Sequence, residues 1–242
     1  LLAEDGAKLS KKLRNYTEPS LVFEQQGSDA LRWYLMSSNI SKGGDLRISD
    51  PGITEVVRQV LLPIWNAYSF FTLYANADGY RAELRTDSEQ LLDRYLLAKT
   101  HTLIESVTER MDAYDLPGAT VEIRGFIDAL NNWYIRRSRD RFWARASESN
   151  DNDKRDAYDT LYTVLITFSK VAAPFLPMVM EEIHTSLTGL QSVHLSNWPD
   201  PTDLPADTEL VVRMDRVRDV ASTALRLRED NGLRVRLPLT SL

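Results

Sequence analysis

The spacing of hydrophobic residues is helical along most of the chain. Apolar side chains recur at intervals of three and four residues, with polar residues between them. The pattern fills four long segments separated by short polar links; these segments begin at Ile53, Ser88, Pro117 and Ser149. Four long amphipathic helices with short connections predict an all-α fold in the form of an up-and-down helical bundle. An α-solenoid is the alternative, although the sequence shows no internal repeat to support it.

Prolines and the two ends of the chain modify this pattern. Pro63 lies inside the first long segment and predicts a kink, because its ring removes a backbone donor and clashes with the preceding turn. Two short helices are predicted before that segment, with Thr17 as the N-cap of the first and Ser28 as the N-cap of the second. Residues 189–207 are rich in proline, aspartate and serine and indicate a linker. A last helix follows and ends near Gly232, after which LRVRLPL looks extended.

Composition restricts the chemistry of the chain. The 242 residues include no cysteine, which excludes disulfides, thiolate catalysis and cysteine zinc sites. The three histidines are scattered without ligand spacing, so no metal site is predicted. No apolar run is long enough to span a bilayer, and the start LLAEDG lacks the features of a secretory signal. We therefore expect no membrane partner and a cytoplasmic protein. Because the start also resembles neither an initiator nor a processing site, we expect a fragment of a longer chain.

Charge is distributed unevenly. The net charge of −6 argues against a general nucleic-acid-binding protein, but residues 131–145 contain five arginines and one aspartate. At about 100° per residue, Arg137 and Arg141 fall on the same helix face as the apolar Trp133, with Arg145 close beside them. The apolar stripe thus becomes an arginine stripe, which predicts that this half of the helix leaves the core. Arginine suits phosphate because its guanidinium donates hydrogen bonds in pairs. The predicted partner is RNA, in contact with all four of these residues.

The arginine stripe has a second interpretation that the sequence leaves open. Its arginines would pair with acidic residues on neighbouring helices, with Trp133 and Phe142 in the core. If the stripe binds RNA, Tyr134, Phe142 and Trp143 are candidates for stacking on bases or on arginines. Elsewhere, the aromatic residues of 65–74 are assigned to the core, and His184 is assigned a structural role.

The stretch DGAKLSKKLRNYTEP, near the start of the chain, contains a loop rich in lysine. Gly6 gives the loop conformational freedom, and Lys8, Lys11 and Lys12 supply ammonium groups on flexible stems. Such cations suit a triphosphate, because they stabilise the negative charge that moves toward the leaving pyrophosphate during nucleotidyl transfer. A loop that closes over the nucleotide also positions the reactants. Taken alone, this pattern fits a solvated lysine turn better than a phosphate-binding loop.

The loop and the helix after it carry a family resemblance. KLSKKLRNYTEP followed by GSDALRWYLMSS resembles the Lys-Met-Ser-Lys-Ser loop of class I aminoacyl-tRNA synthetases and the helix that normally follows it. Lys8, Ser10 and Lys11 match that loop, whereas Leu9 replaces its Met and Lys12 replaces its last Ser. The segments NYTEP, FIDALNNWYIRRSRDRFW, APFLPMVMEEIH, SVHLSNWP and NGLRVRLPL resemble the isoleucyl branch of the family in order and spacing.

The resemblance covers nearly the whole chain and implies a domain organisation. Residues 1–50 would be the tail of a catalytic domain, with the lysine loop and short helices that contact the tRNA stem. Residues 51–205 would form the anticodon-binding helical bundle, and residues 206–242 would begin a further C-terminal element. The nucleotide-binding pocket of the family would lie outside this chain.

The resemblance also implies substrates and residue roles. Lys8 and Lys11 would be catalytic, and together with Ser10 they would bind ATP. ATP would be a substrate, accompanied by Mg²⁺ in the full-length enzyme, and the chain alone would bind no cofactor stably and would be inactive. Isoleucine and tRNA would be the other partners of a monomeric enzyme. The alternatives are the corresponding part of a valyl, leucyl or methionyl enzyme, a standalone RNA-binding helical module, and a structural scaffold.

Overall fold

Helices account for most of the structure. The computed structural model describes residues 1–144 and 151–238. In chain order the α-helices are α1 (Pro19–Gln25), α2 (Ser28–Met36), α3 (Asp50–Val56), α4 (Leu62–Asp78), α5 (Leu91–Asp112), α6 (Leu116–Asp128), α7 (Arg136–Trp143), α8 (Asp151–Ala172), α9 (Pro177–Thr188) and α10 (Thr208–Asp230). Within the described ranges no β-strand forms, and isolated bridges join Leu2 to Lys8 and to Arg47. The prediction of an all-α fold is confirmed.

The core of the bundle lies among α5, α6, α8 and α9, with α4 packed along α8. Aromatic rings fill much of the space between these helices. Phe126 of α6 stacks on Phe168 of α8 with ring centroids 5.3 Å apart, and Phe71 of α4 stacks on Tyr162 of α8 at 5.8 Å. Burial of this apolar surface is the main favourable contribution to folding. In the part of the chain that the structure describes, no helix combines the length and the hydrophobicity of a membrane span.

Two π-helical turns interrupt the long helices. Val57–Leu61 joins α3 to α4, and Ala129–Ile135 joins α6 to α7, so each pair of helices is continuous. Pro63 follows the first of these turns directly, at the start of α4. The wider π-helical turn accommodates the proline ring and its missing N–H. The irregularity expected at Pro63 therefore takes the form of a π-helical turn.

The N-terminal helices begin at caps other than the predicted ones. Glu18 is the N-cap of α1, and Gly27, with φ +88°, is the N-cap of α2, so Ser28 is already helical. Thr17 instead donates its hydroxyl to a carboxylate oxygen of Asp50 at 2.7 Å. The cap assignments of Thr17 and Ser28 are wrong, because a tertiary hydrogen bond engages the first and a glycine precedes the second.

The last helix, α10, packs on α5 through a partly buried network of charged side chains. Asp215 of α10 accepts hydrogen bonds from Tyr95 (2.7 Å) and Lys99 (2.5 Å) of α5 and from Arg218 (2.8 Å). Burial raises the pKa of the Asp215 carboxyl, but the hydrogen bonds from Lys99 and Tyr95 outweigh burial and hold the pKa below its usual range. The first half of α10 is therefore fixed to the bundle.

The segment after α10 folds back on the helix. Within residues 233–238, the described part of LRVRLPL, Val235 and Arg236 form a turn that the N–H of Leu237 closes on the carbonyl of Arg234 (3.0 Å), so the expectation of an extended segment is wrong. Nη1 of Arg228 donates to the carbonyls of Arg234 (3.0 Å) and Leu237 (2.8 Å). These hydrogen bonds draw the backbone toward the end of α10, and this tertiary preference overrides the local strand propensity.

The aromatic segment of α4 is only partly buried. Phe71 belongs to the core, as predicted, whereas Trp65 is 40% exposed and the core assignment is wrong for it. Trp65 packs on Tyr68, one turn further along the helix surface, with ring centroids 5.2 Å apart. The neighbouring helices do not cover α4 completely, so Trp65 remains exposed although its residue type is typical of a core position.

His184 is fully buried on α9, in agreement with its structural assignment. Its Nδ1 lies 3.0 Å from Oγ of Ser169, and its Nε2 lies 3.3 Å from Oγ of Ser196. Burial lowers the pKa of His184, and the nearby Lys170 lowers it further, while Glu181 raises it by less. The folded protein therefore favours the neutral imidazole.

Acidification is expected to destabilise the fold through His184. Because its pKa is lower in the folded chain than the ordinary 6.5, the unfolded chain takes up the proton first. The stabilisation is thus fully present above pH 6.5 and is lost as pH falls toward the folded pKa. We expect a loss of up to about 1.4 kcal/mol per pH unit in that window. Urea unfolding between about pH 5.5 and 7.5 measures this loss of unfolding free energy.

The control compares two histidine variants. His184→Gln should make the free energy of unfolding depend less on pH. An equal effect of His194→Gln, which changes an exposed histidine, would contradict the assignment of the pH dependence to His184.

Candidate functional site

Asn15 shapes the lysine loop, which comprises residues 8–15. The Asn15 side chain donates through Nδ2 to the carbonyl of Lys8 (3.1 Å), and its Oδ1 accepts the backbone N–H of Ser10 (2.9 Å). The backbone N–H of Arg14 donates to the carbonyl of Ser10 (3.0 Å), and Arg14 adopts a left-handed conformation with φ 49°. The carboxamide of Asn15 therefore closes the loop into a turn with a defined backbone. The sequence indicates no such role for Asn15.

The lysines of this loop point to solvent. Lys8, Lys11 and Lys12 are all exposed. The lysine ion pairs found within the described ranges involve other parts of the chain, namely Lys42, Lys99 and Lys154. Ammonium groups on a turn with a fixed backbone attract an anion without first having to leave a carboxylate partner. This arrangement agrees with the charge that the sequence predicts for a phosphate-binding loop.

The N-terminal segment attaches the lysine loop to the rest of the fold. The N–H of Leu2 donates to the carbonyl of Leu46 (2.8 Å), and the N–H of Ile48 donates to the carbonyl of Leu2 (2.9 Å). Gly6 adopts φ +84°, and a Cβ there would lie 3.3 Å from Nη2 of Arg47. Both the positive φ and this close approach favour glycine. The loop thus begins from a turn held against the segment that leads to α3.

The helix with the arginine stripe has a different register from the predicted one. The π-helical turn Ala129–Ile135 contains more residues per turn than an α-helix, so it rotates the helix that follows. As a result, Tyr134, Ser138 and Phe142 continue the buried face that Leu130 begins. The expectation that the second half of this helix leaves the core is wrong. Tyr134 is 0% exposed and Phe142 is 1% exposed, so neither can stack on a base.

Arg141 turns inward and pairs with Asp93 of α5. Its Nη1 and Nη2 donate to the two carboxylate oxygens of Asp93, each at 2.7 Å. The hydroxyls of Ser88 and Tyr134, both at 2.8 Å, also donate to this fully buried carboxylate. The Arg141 side chain is 15% exposed, and Nη2 donates as well to the carbonyl of Asp153 (3.0 Å). Of the two interpretations of the stripe, ion pairing with a neighbouring helix describes Arg141.

Two other predicted RNA contacts, Trp133 and Arg137, lie on the outer side of the same helix. The guanidinium of Arg137 lies over the ring of Trp133, with Cζ 4.7 Å from the ring centroid. Arg137 and its neighbour Arg136 are exposed. Nε1 of Trp133 is buried and has no hydrogen-bond partner among the described residues. Trp143 is 53% exposed at the end of α7, and Arg145 lies outside the described residues.

Two grooves flank this outer surface. A groove of about 830 Å³ separates it from α10, and its lining combines carboxylates with one tryptophan and four arginines: Asp128, Asp140, Glu229, Trp133, Arg136, Arg137, Arg218 and Arg226. A groove of about 720 Å³ lies on the side of α4 and is lined by amides and guanidinium groups, among them Asn66, Arg124, Asn131, Asn132, Arg136 and Arg139. Guanidinium groups donate to phosphate oxygens, and amides both donate to and accept from base edges.

In the groove beside α10, carboxylates form ion pairs with some of the arginines, so fewer guanidinium groups face solvent. Arg218 is held by Asp128 at 2.6 Å and by Asp215. Arg136, Arg137 and Arg226 are exposed. The sequence favours a solvated helix over a second tRNA-facing surface for the segment with Arg226, because acidic and basic residues alternate along α10. Only the packing of α10 on α5, which places α10 across the groove from α7, reveals the position of Arg226.

A helical bundle that contains an arginine-lined helix can be compared with known protein families. The family described as the anticodon-binding domain of tRNA ligase matches residues 93–242. The chain belongs to this tRNA ligase family. Residues 1–49, which contain the lysine loop, match the family described as tRNA synthetases class I (I, L, M and V). The resemblance identified from the lysine loop and the helix motifs is therefore confirmed.

Several proteins that are similar in sequence to this tRNA ligase chain are isoleucine–tRNA ligases. It is 56% identical to the isoleucine–tRNA ligase of Leifsonia xyli subsp. xyli over 100% of this chain and 21% of that protein. The ligase of the same name from Mycobacterium tuberculosis is 51% identical over 100% of this chain and 22% of that protein. That of Tropheryma whipplei is 48% identical, with the same coverage of 100% and 22%. The chain thus spans about a fifth of the length of these relatives.

A solved structure shares the fold of the tRNA ligase chain. It is the LeuRS of Agrobacterium radiobacter K84 in a ternary complex with tRNA and LeuAMS. The two superpose with a TM-score of 0.58 at 21% sequence identity, over 87% of this chain and 24% of that one. At this level of identity the likeness concerns the fold alone, and it agrees with the predicted bundle of the class I synthetase type.

Proposed function

We propose that this tRNA ligase chain is part of an enzyme that joins isoleucine to its tRNA with consumption of ATP. The observation that carries the proposal is the identity of 48–56%, over the whole chain, to proteins named isoleucine–tRNA ligase. The similarity covers the lysine loop and the bundle together. Isoleucine is therefore better supported than valine, leucine or methionine.

The lysine loop is proposed to act on the phosphates of ATP. In the first step of the reaction, a carboxylate oxygen of isoleucine attacks the α-phosphate, and the bond to pyrophosphate breaks. The ammonium groups of Lys8 and Lys11 stabilise the charge that accumulates on the departing pyrophosphate. The hydroxyl of Ser10 accepts only a long hydrogen bond from the N–H of Leu13 (3.4 Å), so its proton is available to a phosphate oxygen.

Mg²⁺ is the ion that would accompany ATP in the complete enzyme. The described residues include no cluster of histidine and carboxylate side chains that fits a metal ion. We therefore assign Mg²⁺ no ligand among the residues that the structure describes, and the proposed roles of Lys8, Ser10 and Lys11 do not depend on one.

The outer surface of α7 is proposed to contact tRNA. Arg136 and Arg137 are exposed there, and Trp133 carries the guanidinium of Arg137 on its ring. Each guanidinium donates in pairs to phosphate oxygens, and the Trp133–Arg137 pair offers a flat surface to a base. Arg145 remains a proposed contact on the basis of sequence. Arg141 is left out of the set, because its donors are engaged by Asp93 and Asp153.

The domain organisation expected from the sequence is retained as a proposal. Residues 1–50 belong to the catalytic part, residues 51–205 form the tRNA-binding bundle, and residues 206–242 begin a further element. The two family matches, over residues 1–49 and 93–242, support the first division. The complete enzyme is proposed to be a cytoplasmic monomer, as its role in translation implies.

Isoleucine-dependent ATP–pyrophosphate exchange tests the proposal. The protein to assay contains this chain together with the remaining length that its relatives have. We expect exchange with isoleucine to exceed that with valine, leucine or methionine, and we expect the 242-residue chain alone to show none. A preference for another of these amino acids would overturn the assignment of isoleucine. Binding of tRNA without exchange by the longer protein would favour a standalone RNA-binding module.

A further inference from the structure

The start of α9 is capped by a residue that is far away in sequence. The N-cap position of α9 is Leu176, which offers no side-chain acceptor. Asp29 of α2 supplies one instead: its carboxylate accepts the backbone N–H of Met178 (3.1 Å) and of Val179 (2.8 Å). The first N–H groups of a helix have no partner within the helix, so this carboxylate satisfies two of them. Asp29 is 4% exposed, and its position is therefore fixed by packing.

Arg32, one turn further along α2, binds at the C-terminal end of a helix, whereas Asp29 binds at an N-terminal end. Its Nε (2.9 Å) and Nη2 (2.7 Å) both donate to the carbonyl of Pro174, just beyond the C-terminus of α8. The N-terminus of a helix carries partial positive charge and the C-terminus partial negative charge. A single turn of α2 therefore presents an anion to the start of α9 and a cation to the end of α8. Both charges match the helix ends that they touch.

Between these two contacts, the same face of α2 is packed into the core. Trp33 is fully buried and meets Phe175, in the turn between α8 and α9, with ring centroids 6.1 Å apart. On the other side, α2 continues through α1 to the lysine loop, and Thr17 fixes the start of α1 to Asp50 of α3. The Asp29–Arg32 pair is thus the polar part of the junction between the lysine loop and the helices of the bundle.

We propose that Asp29 and Arg32 are positioning residues that hold the lysine loop in a fixed place relative to the tRNA-binding bundle. Neither contacts a substrate; they act through α2. The consequence for catalysis rests on the proposed function, because a fixed place for Lys8 and Lys11 matters only if they act on ATP. A bundle held on tRNA would then also set the position of the loop, since the two parts move as one body.

Distances between spin labels test this proposal directly. The chain contains no cysteine, so Lys12→Cys in the loop and Glu182→Cys on α9 give one labelled site each. We expect a single narrow distance distribution for the otherwise unchanged chain. Asp29→Ala should broaden it and should speed amide exchange of Met178 and Val179 by about tenfold. Asp29→Asn should restore the narrow distribution, because the asparagine side-chain oxygen is also a good N-cap acceptor.

Two further variants keep the result interpretable. Arg32 is exposed, so Arg32→Ala decides the question if Asp29→Ala fails to fold. Asp207→Ala is the matched control: Asp207 accepts the N–H of Leu210 and caps its own helix, α10, away from α2. It should leave the distance distribution narrow. A narrow distribution in both Asp29→Ala and Arg32→Ala, or broadening by Asp207→Ala alone, would overturn the proposal.

The distance measurement stands apart from the catalytic assay. If the longer protein shows no isoleucine-dependent exchange, the proposed function fails, whereas the labels still report whether α2 fixes the loop. If exchange is present and falls for Lys11→Ala, but the labels show no effect of Asp29 or Arg32, the proposed function survives and this inference fails.

Discussion

Arg141→Ala is expected to lower the free energy of unfolding by about 3–5 kcal/mol, which is the range for breaking one side of a buried ion pair. The variant leaves the Asp93 carboxylate, which is 0% exposed, without its two guanidinium donors at 2.7 Å. Ser88 and Tyr134 remain, but two neutral hydroxyls compensate poorly for a buried negative charge. Burial and the neighbouring Asp93 raise the pKa of Tyr134, so its hydroxyl stays a donor at neutral pH. Urea denaturation followed by circular dichroism measures the loss.

Arg137→Ala is the matched control for that experiment. Arg137 lies one helical turn before Arg141, is exposed, and contacts the ring of Trp133 at 4.7 Å. Loss of one exposed cation–π contact should cost about 1 kcal/mol or less. In a double-mutant cycle, the combined loss of Arg141 and Asp93 should cost less than the sum of the two single losses. Equal effects of Arg141→Ala and Arg137→Ala would contradict the inward assignment of Arg141.

Lys11→Ala is expected to reduce the rate of adenylate formation in the longer enzyme by about 100-fold, the range for removal of one group that stabilises developing charge. The KM for isoleucine should change little, because the ammonium acts mainly on the transition state and not on isoleucine. Pre-steady-state measurement of adenylate formation gives both quantities. The loop backbone should persist, since it is held by Asn15.

Lys12→Ala serves as the comparison for Lys11→Ala. Lys12 is exposed on the same loop but stands where the family's loop ends in serine. Its removal should slow the reaction by only a few-fold through loss of general positive charge. Equal losses of rate in the two variants, or a rise in KM for isoleucine equal to the loss of rate, would count against a specific role of Lys11.

The positions of the helices of this tRNA ligase chain can be predicted from the sequence. The residues that each helix turns toward the core are harder to predict. Every long helix buries one apolar face, and that requirement produces the period on which the prediction rests. The constant rotation of 100° per residue fails at Ala129–Ile135, where the π-helical turn adds a residue to one turn. Arg141 is consequently found beside Asp93 and not beside Arg137. No local sequence pattern predicts the π-helical turn, because packing against neighbouring helices stabilises it.

The lysine loop shows the same limit in another form. Lys8, Ser10 and Lys11 are recognisable from the sequence because their chemistry and spacing are local. The residues proposed to hold the loop in place relative to the bundle act through contacts between distant segments. Asp29 reaches Val179 on α9, and nothing in the spacing of either segment indicates that they meet. Residues proposed to bind ATP are therefore easier to recognise here from the sequence than residues proposed to position the loop that carries them.

The outer surface of α7 makes the central claim testable on this chain alone. Each phosphate contact adds about 0.7–0.9 to the slope of log affinity against log salt concentration. Removal of two contacts, as in Arg136→Ala with Arg137→Ala, should therefore reduce the magnitude of that slope by roughly 1 to 2. The control is Arg213→Ala, which removes an exposed arginine that pairs with Glu209 on α10.

Titration of labelled tRNA with the 242-residue chain at several salt concentrations is the most direct measurement. We expect affinity to fall steeply with salt, the double variant to show a shallower slope, and Arg213→Ala to behave as the unchanged chain. An affinity that does not respond to salt, or equal slopes for the unchanged chain and the double variant, would contradict the claim that this surface binds tRNA.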